Sequence, residues 1–543
     1  MNRFLKLATA VGALFLTALI FAGAASAHAT VSSSDPADGE RLQSAPTSMT
    51  ITFDEAVSLG RIGYLNVTDQ QGDRVDTGSA THPGGDATKI TTALKSGLPD
   101  GTYTGSYRVI SADSHPVAGV IRFVVGNGAL VTSPVAGSGA IKHSTSGALD
   151  LARWLSYAGF ALLGGLWLLL TVWPEGRDEP RAVRVLRVGW WLAVVGALLE
   201  LLLQGPYVAG RGLGDLPTWS LLDATLHSDY GLWHCVRLVL LGLLAITARR
   251  VGGGRGTRIE STDAVWLWML GIAITFSAVG HARTTNPAWI SLPLDTLHVL
   301  AMSAWLGGLA MLIASRMRRD LLPSFSAVAF ASVAVIIVTG GYAAWRGIAT
   351  PRAIFATEYG WLVVAKVVGL LALMALGNWS RVAINRRSYA QADDTGAITL
   401  ERMRRSVLVE LGIAVLVLIA TSILVGQPRG REALAANDRK PVTALAPLTA
   451  GRTATVTLDP GVHGNVTITV ELSDGTAPQS VTATATQSAK QIGPLPVPLK
   501  AEAKNLYAAT SVNLPVAGRW RIDLVVSTST ADAVTTDATL TLH

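Results

Sequence analysis

Apolar residues follow three different rhythms along this chain. Near the start, Arg3 and Lys6 precede a short apolar run from Leu14 to Ala22, and Ala25-Ser26-Ala27 follows it. A positive segment, a short apolar core and an A-x-A site together predict a secretory signal over 1–27, whose removal would leave His28 at the new amino terminus. From 28 to 127 the rhythm is period two. Alternating runs at Met49–Phe53, Tyr64–Thr68, Thr102–Val109 and Val120–Val125 are separated by turns such as Pro36-Ala37-Asp38-Gly39 and Pro99-Asp100-Gly101. That spacing predicts a small all-β sandwich. A stretch rich in Gly, Ser and Ala, read as a linker, covers 128–148.

The middle of the chain changes to long apolar runs. Eight are long enough to cross a bilayer, near 150–172, 183–203, 230–248, 263–280, 293–314, 325–345, 360–380 and 406–425. They predict an eight-helix transmembrane bundle over 149–426. Alternate turns are rich in arginine: Arg181, Arg184 and Arg187; Arg249, Arg250, Arg255 and Arg258; Arg316, Arg318 and Arg319; and Arg381 through Arg405. The intervening turns carry only Arg211, Arg283, Arg346 and Arg352. The positive-inside rule therefore puts the first set in the cytoplasm and both chain ends outside it. After a linker at 427–452, period-two alternation returns over 453–543 and predicts a second small extracytoplasmic β-sandwich.

Composition narrows the class. Half of the 543 residues are hydrophobic, only 15% are charged, and mean hydropathy is +0.40, as expected for a multi-pass protein of the cell membrane. The net charge of +7 does not point to nucleic acid, because the arginines sit between apolar runs rather than on one basic face. The lipid bilayer is the partner that charge pattern predicts. One cysteine, Cys235, excludes an internal disulfide framework and any zinc site built from several thiolates.

The candidate chemistry begins at His28. An amino-terminal histidine grips a metal through its α-amine and imidazole Nδ1 together, a nitrogen donor pair suited to Cu(II). The segment Ser111-Ala112-Asp113-Ser114-His115-Pro116 supplies a carboxylate and a second imidazole two residues apart. The segments HATVSSSDPADGERL, FDEAV and SADSHPVAGVIRFVV resemble the CopC family over essentially the whole domain. The resemblance implies Cu(II) held by His28, Asp113 and His115. A methionine-rich Cu(I) site of some relatives is not expected, since Met49 is the domain's only methionine. His82 is read as an ordinary loop residue.

Within the apolar runs, ionisable groups are costly and mark pathways by default. Glu200, His234, Arg237, His281, Asp295, His298 and Lys366 all fall towards the outer ends of their helices, at one depth. The run Asp295–Leu309 (DTLHVLAMSAWLGGL), Gly280-His281-Ala282 and Glu410 resemble the CopD family, best over the last five helices. That resemblance implies a copper path through His281 and His298, with Asp295 orienting an imidazole. His234, beside Cys235, and Met302, one turn beyond His298, complete the candidate path, and Met302 is a soft ligand suited to Cu(I). Arg237 and Lys366 are read as ion-pair partners and Gly307-Gly308 as a close helix contact. The stretch Val456–Val526 is similar to the small YtkA-like sandwich domains, and its two histidines, His463 and His543, are too few for a metal site.

These readings converge on copper transport and homeostasis: capture of Cu(II) by the first domain and transfer to the membrane domain, in the direction of import. The alternative is an envelope protein that buffers copper and gives tolerance without moving it. Enzyme chemistry ranks last, because Asp113 as a direct ligand fills the position oxygen chemistry needs open. No GxxxxGK[ST] motif is present, so movement would draw on the copper gradient, the membrane potential or protons.

Overall fold

The computed structural model describes residues 29–112, 114–127, 144–252, 258–285, 287–388, 395–448, 452–473, 478–503, 505–527 and 533–543. The leader at 1–27, His28, Asp113 and most of the first linker lie outside the described residues.

Nine strands form the first domain: β1 (Val31–Asp35), β2 (Glu40–Leu42), β3 (Ser48–Phe53), β4 (Val57–Ser58), β5 (Tyr64–Thr68), β6 (Asp76–Thr81), β7 (Lys89–Leu94), β8 (Gly101–Ser111) and β9 (Pro116–Val125). One sheet runs β1-β3-β7-β6; the other runs β2-β9-β8-β4, with β5 also on β8. Only the inward residues of each strand are apolar, so Met49, Ile51, Phe53, Leu65, Val67, Ile90, Val109 and Phe123 meet between the sheets. Met49 is thus wholly enclosed in the core. The longest hairpin, β8–β9, pairs from Gly101↔Val125 to Ile110↔Pro116, and its tip is the Ser111–Pro116 segment.

The middle region is helical: α1 (Ser144–Leu163), α2 (Leu166–Thr171), α3 (Pro180–Ala209), α4 (Trp219–Leu226), α5 (Asp229–Gly252), α6 (Arg258–Val279), α7 (Ala288–Ala314), α8 (Leu322–Ile348), α9 (Pro351–Ala356), α10 (Glu358–Ser388) and α11 (Thr395–Val425). Among the described residues, eight spans are long and apolar enough to cross a membrane. The first combines α1 and α2 and opens at Thr145, a few residues inside the stretch read as linker. Small residues set the closest contact in the bundle. A Cβ on Gly307 would come 2.1 Å from the Gly165 amide nitrogen, and one on Gly164 would come 2.0 Å from the Ser303 carbonyl oxygen.

The second stretch read as linker, 427–452, is built rather than open. It contains α12 (Gly430–Asp438) and the first strand of the last domain, β10 (Val442–Pro447). Period-two and transmembrane patterns both miss a nine-residue polar helix. Its start is set by the Glu432 carboxylate accepting the Arg429 N–H at 3.0 Å, and its middle by alanines.

The last domain adds β11 (Thr453–Asp459), β12 (Gly464–Leu472), β13 (Ser480–Gln487), β14 (Ile492–Val497), β15 (Lys500–Ala503), β16 (Leu506–Leu514), β17 (Gly518–Ser527) and β18 (Ala533–Leu542). Its sheets run β10-β11-β12-β16-β15 and β14-β13-β17-β18. Trp520 fills the space between them, and its indole N–H donates to the Val516 carbonyl at 2.9 Å.

Both β domains sit on the same end of the bundle. The first is held there by Arg108 Nη1 donating to the Val208 carbonyl (2.8 Å) and by an Arg61–Asp223 ion pair. The last is anchored through α12, where Asp438 pairs with Arg352 at 2.9 Å. The two domains also grip one another: Arg41 pairs with Glu502 at 3.0 Å, and Arg439 donates to the Val31 carbonyl at 3.0 Å.

Candidate functional site

The β8–β9 tip is a tight turn. Ser114 takes a left-handed backbone (φ 69°), the Ser111 N–H donates to the His115 carbonyl at 2.9 Å, and the Ser111 hydroxyl donates to the same oxygen at 3.1 Å. This turn drives His115 out of its own domain and into the end of the bundle, where the residue is only 7% exposed. There its ring stacks on His281, with centroids 5.4 Å apart and planes 20° apart.

The segment after α11 orients both rings. His115 Nε2 lies 3.2 Å from the Val425 carbonyl oxygen, and His281 Nε2 lies 3.2 Å from that of Gln427. Carbonyl oxygens only accept, so in this arrangement each Nε2 carries a proton. Buried Arg429 steadies the same corner by donating to the His281 carbonyl and to the Thr284 hydroxyl.

A cavity opens under His115 and descends into the bundle. It is lined by Ser114, Tyr157, Glu200, Gln204, Tyr230 and Arg237, with Arg153, Phe276, Val279, Gly280 and Val425. At its floor the Glu200 carboxylate accepts from the Ser156 hydroxyl and from Tyr230 OH at 3.2 Å, with His234 Nε2 at 3.0 Å and Arg237 at 3.6 Å beside it. His234 is completely enclosed, and its Nδ1 donates to the Tyr230 carbonyl at 2.8 Å. Arg237 also donates to the Thr275 hydroxyl (2.9 Å) and carbonyl (3.1 Å), and its guanidinium lies 3.8 Å over the Phe276 ring. Of Arg237 and Lys366, the two residues read as ion-pair partners, Arg237 lies 3.6 Å from a carboxylate, that of Glu200.

The ionisable groups that the sequence puts at one depth fall into two clusters. Beside the first, on α7, Asp295 has Ser277 and Lys366 as its polar neighbours, and Lys366 also faces His298. The expected Asp295–imidazole contact is replaced at His298 by Thr339: Nδ1 lies 2.8 Å from its hydroxyl, across the α7–α8 seam. Gly340 on α8 leaves the ring its room, since a Cβ there would come 3.3 Å from Cε1. Inside the bundle it is His234 that meets a carboxylate, that of Glu200. Tyr157 stands within electrostatic reach of both Asp295 and Glu200. Met302 packs among apolar side chains of the bundle. Glu410 is buried on α11 with the Ser406 hydroxyl at 3.5 Å. His82, in its loop, has Nδ1 2.7 Å from the Lys89 carbonyl.

Among the described residues, no three His, Cys, Asp or Glu side chains come together as a metal cage. What the arrangement offers instead is a series of nitrogen and oxygen donors, from a histidine of one domain, through a histidine of the other, to a carboxylate in the bundle. Gln204, Ser114 and Tyr157 escaped the reading of the sequence. The available signal for Gln204 was its place four residues after Glu200, on the same helix face.

Residues 31–126 match the family described as the CopC domain, and residues 319–424 match the one described as Copper resistance protein D. The chain is 28% identical over 420 residues to "Copper transport protein CutJ" of Bacillus subtilis, covering 74% of each chain. It is 30% identical over 99 residues to "Protein YobA" of Escherichia coli, covering 18% of this chain and 79% of that one. Among solved structures, CopC from Methylosinus trichosporium OB3b aligns with 22% identity over 18% of this chain and 93% of its own, at a TM-score of 0.17. PcoC, a methionine-rich copper resistance protein of Escherichia coli, aligns with 27% identity over 18% and 99%, at 0.16.

Proposed function

Because the chain joins a CopC domain to a CopD domain, and so belongs to the copper-resistance family those domains define, we propose that it captures copper outside the cytoplasm and passes it inward through the membrane. His28, Asp113 and His115 take Cu(II) from the extracytoplasmic side. His281 receives it, and the path continues towards His234 on one side and Asp295, His298 and Met302 on the other. The relative named as a copper transport protein, similar along most of its length, supports the transport reading.

One observation carries the hand-off: His115, from the copper-capturing domain, lies stacked on His281 of the membrane domain above the cavity. A protein that merely stored copper would gain nothing by burying a ligand histidine against its membrane anchor. Storage is better served by a site open to the solvent. In the hand-off reading, a shift of a few ångströms moves the ion from one domain's ligand to the other's. The membrane potential favours inward movement of a cation by about 2.3 kcal/mol per unit charge at 100 mV.

The test is the initial rate of copper accumulation in cells carrying the wild-type chain, an empty vector, His281→Ala or His298→Ala. Faster accumulation with wild type alone supports import along this route. Equal rates in all four would make envelope binding by the first domain the function.

A further inference from the structure

We propose that Gln204 is the first oxygen ligand copper meets inside the membrane domain, and that the cargo descends from His115 as Cu(II). This deepens the transport reading and rests on it.

Gln204 is only 4% exposed and lines the cavity between His115 above and Glu200 one helical turn below. Its amide nitrogen donates to the Ser114 carbonyl at 3.1 Å, which fixes which way the amide points. The carbonyl oxygen Oε1 is buried and receives no hydrogen bond. Leaving a buried acceptor unmet is costly, so its persistence at the wall of a cavity asks for an occupant.

The neighbouring cations do not fill that role, since each has its own carboxylate. Arg153 pairs with Asp150 at 3.0 Å, and Arg237 lies 3.6 Å from Glu200. A cation descending from His115 therefore enters a cavity whose fixed charges are balanced, and meets a carbonyl oxygen that accepts nothing. The donors along this descent are imidazole nitrogen, amide oxygen and carboxylate. Nitrogen and oxygen donors suit Cu(II), whereas Cu(I) prefers thiolate and thioether sulfur. Among the described residues, no cysteine or methionine lines the cavity. The step is ligand exchange alone: a copper–imidazole bond is released, a copper–oxygen bond forms, and no electron moves.

The full chain in proteoliposomes, supplied with Cu(II) or with Ag(I) as a soft and redox-inert probe, tests this. Gln204→Leu removes the oxygen; Gln204→Glu keeps one. Leucine is expected to slow Cu(II) uptake about tenfold, the range for disturbing a metal's ligand environment, with Ag(I) uptake unchanged and Glu close to wild type for both. Wild-type Cu(II) uptake in the leucine variant would mean that the carbonyl holds only water. Parallel loss of both metals, with lost hydrogen-exchange protection at 111–116, would make Gln204 a docking residue only; either result overturns the proposal. If the wild-type chain moves neither metal, the transport reading fails by itself. Cu(II) titration of the full chain in detergent then decides: weaker binding by Gln204→Leu upholds the oxygen ligand, and equal binding refutes it.

Discussion

Arg41 and Glu502 join the two ends of the chain: one guanidinium nitrogen lies 3.0 and 3.1 Å from the two carboxylate oxygens. The Glu502 side chain is 7% exposed and that of Arg41 28%, so the pair is drier than an ordinary surface bridge. It ties the last domain, already fixed to the bundle through Asp438 and Arg352, to the domain that carries His115.

Glu502→Arg should therefore loosen the first domain by about 2 kcal/mol, through loss of charged hydrogen bonds and a new like-charge contact. Hydrogen exchange should rise at 111–116, on the far side of that domain, and the swap Arg41→Glu with Glu502→Arg should restore protection. If exchange at that tip is the same in wild type and Glu502→Arg, the pair plays no part in docking.

Acid should weaken the first domain through Asp76. Its side chain is fully buried, and burial alone would raise its pKa. The opposing effects win: Arg74 pairs with it, and the Val67 N–H donates to it at 2.9 Å, so the carboxyl is held below its usual value. A depressed folded-state pKa means the stabilisation is complete above the unfolded value, about 4, and disappears as pH falls through the folded one. Protection of the Val67 amide, corrected for intrinsic exchange, should fall below about pH 4. In Asp76→Asn it should be lower at neutral pH and nearly flat with acid.

Much of the architecture was legible because membranes and sheets impose long, simple patterns. Eight apolar runs became eight spans, since a helix needs about 20 apolar residues to cross the bilayer. Alternation found the strands but not their partners, and nothing local says that β2 lies parallel to β9. The His115 segment stands out in the sequence by its residue types alone. Its contact with His281 does not, because it depends on how two separately folded domains meet. Helix direction put Glu200, His234, Asp295 and His298 at similar depth. Which helix faces which decides that they form two clusters, and that information is spread over side chains such as Gly164 and Gly307. Gln204 is one polar residue in an apolar run, and its place on the cavity wall depends on how other helices pack around it.

Glu200 should matter to the bundle before it matters to any ion. Glu200→Gln keeps the shape but removes the carboxylate that faces Arg237 and His234, leaving a buried guanidinium without that counter-charge. Breaking such a pair from one side costs about 3–5 kcal/mol. The melting temperature in detergent should fall clearly, and Glu200→Gln with Arg237→Met should recover part of the loss. A single variant as stable as wild type would mean that Thr275 and the Phe276 ring alone satisfy the arginine.

One of the closest approaches in the bundle should be among its least forgiving positions. Gly307→Ala forces a methyl group against the Gly165 nitrogen (2.1 Å) and the Ala161 carbonyl oxygen (2.6 Å), both backbone atoms that no rotamer change can clear. The helices must separate, at a cost of about 1–3 kcal/mol for overpacking. Gly340→Ala is the informative contrast, because its new methyl meets the edge of the His298 ring at 3.3 Å, and a side chain can yield by a few tenths of an ångström. Thermal unfolding should therefore separate the two: a marked drop for Gly307→Ala and a small one for Gly340→Ala. Copper accumulation is expected to reverse the order relative to stability, with Gly340→Ala affecting transport out of proportion to its small thermal shift, since it displaces His298 from Thr339. Equal thermal shifts would remove the backbone-contact explanation, and unchanged accumulation in a stable Gly340→Ala protein would take the orientation of His298 out of the route.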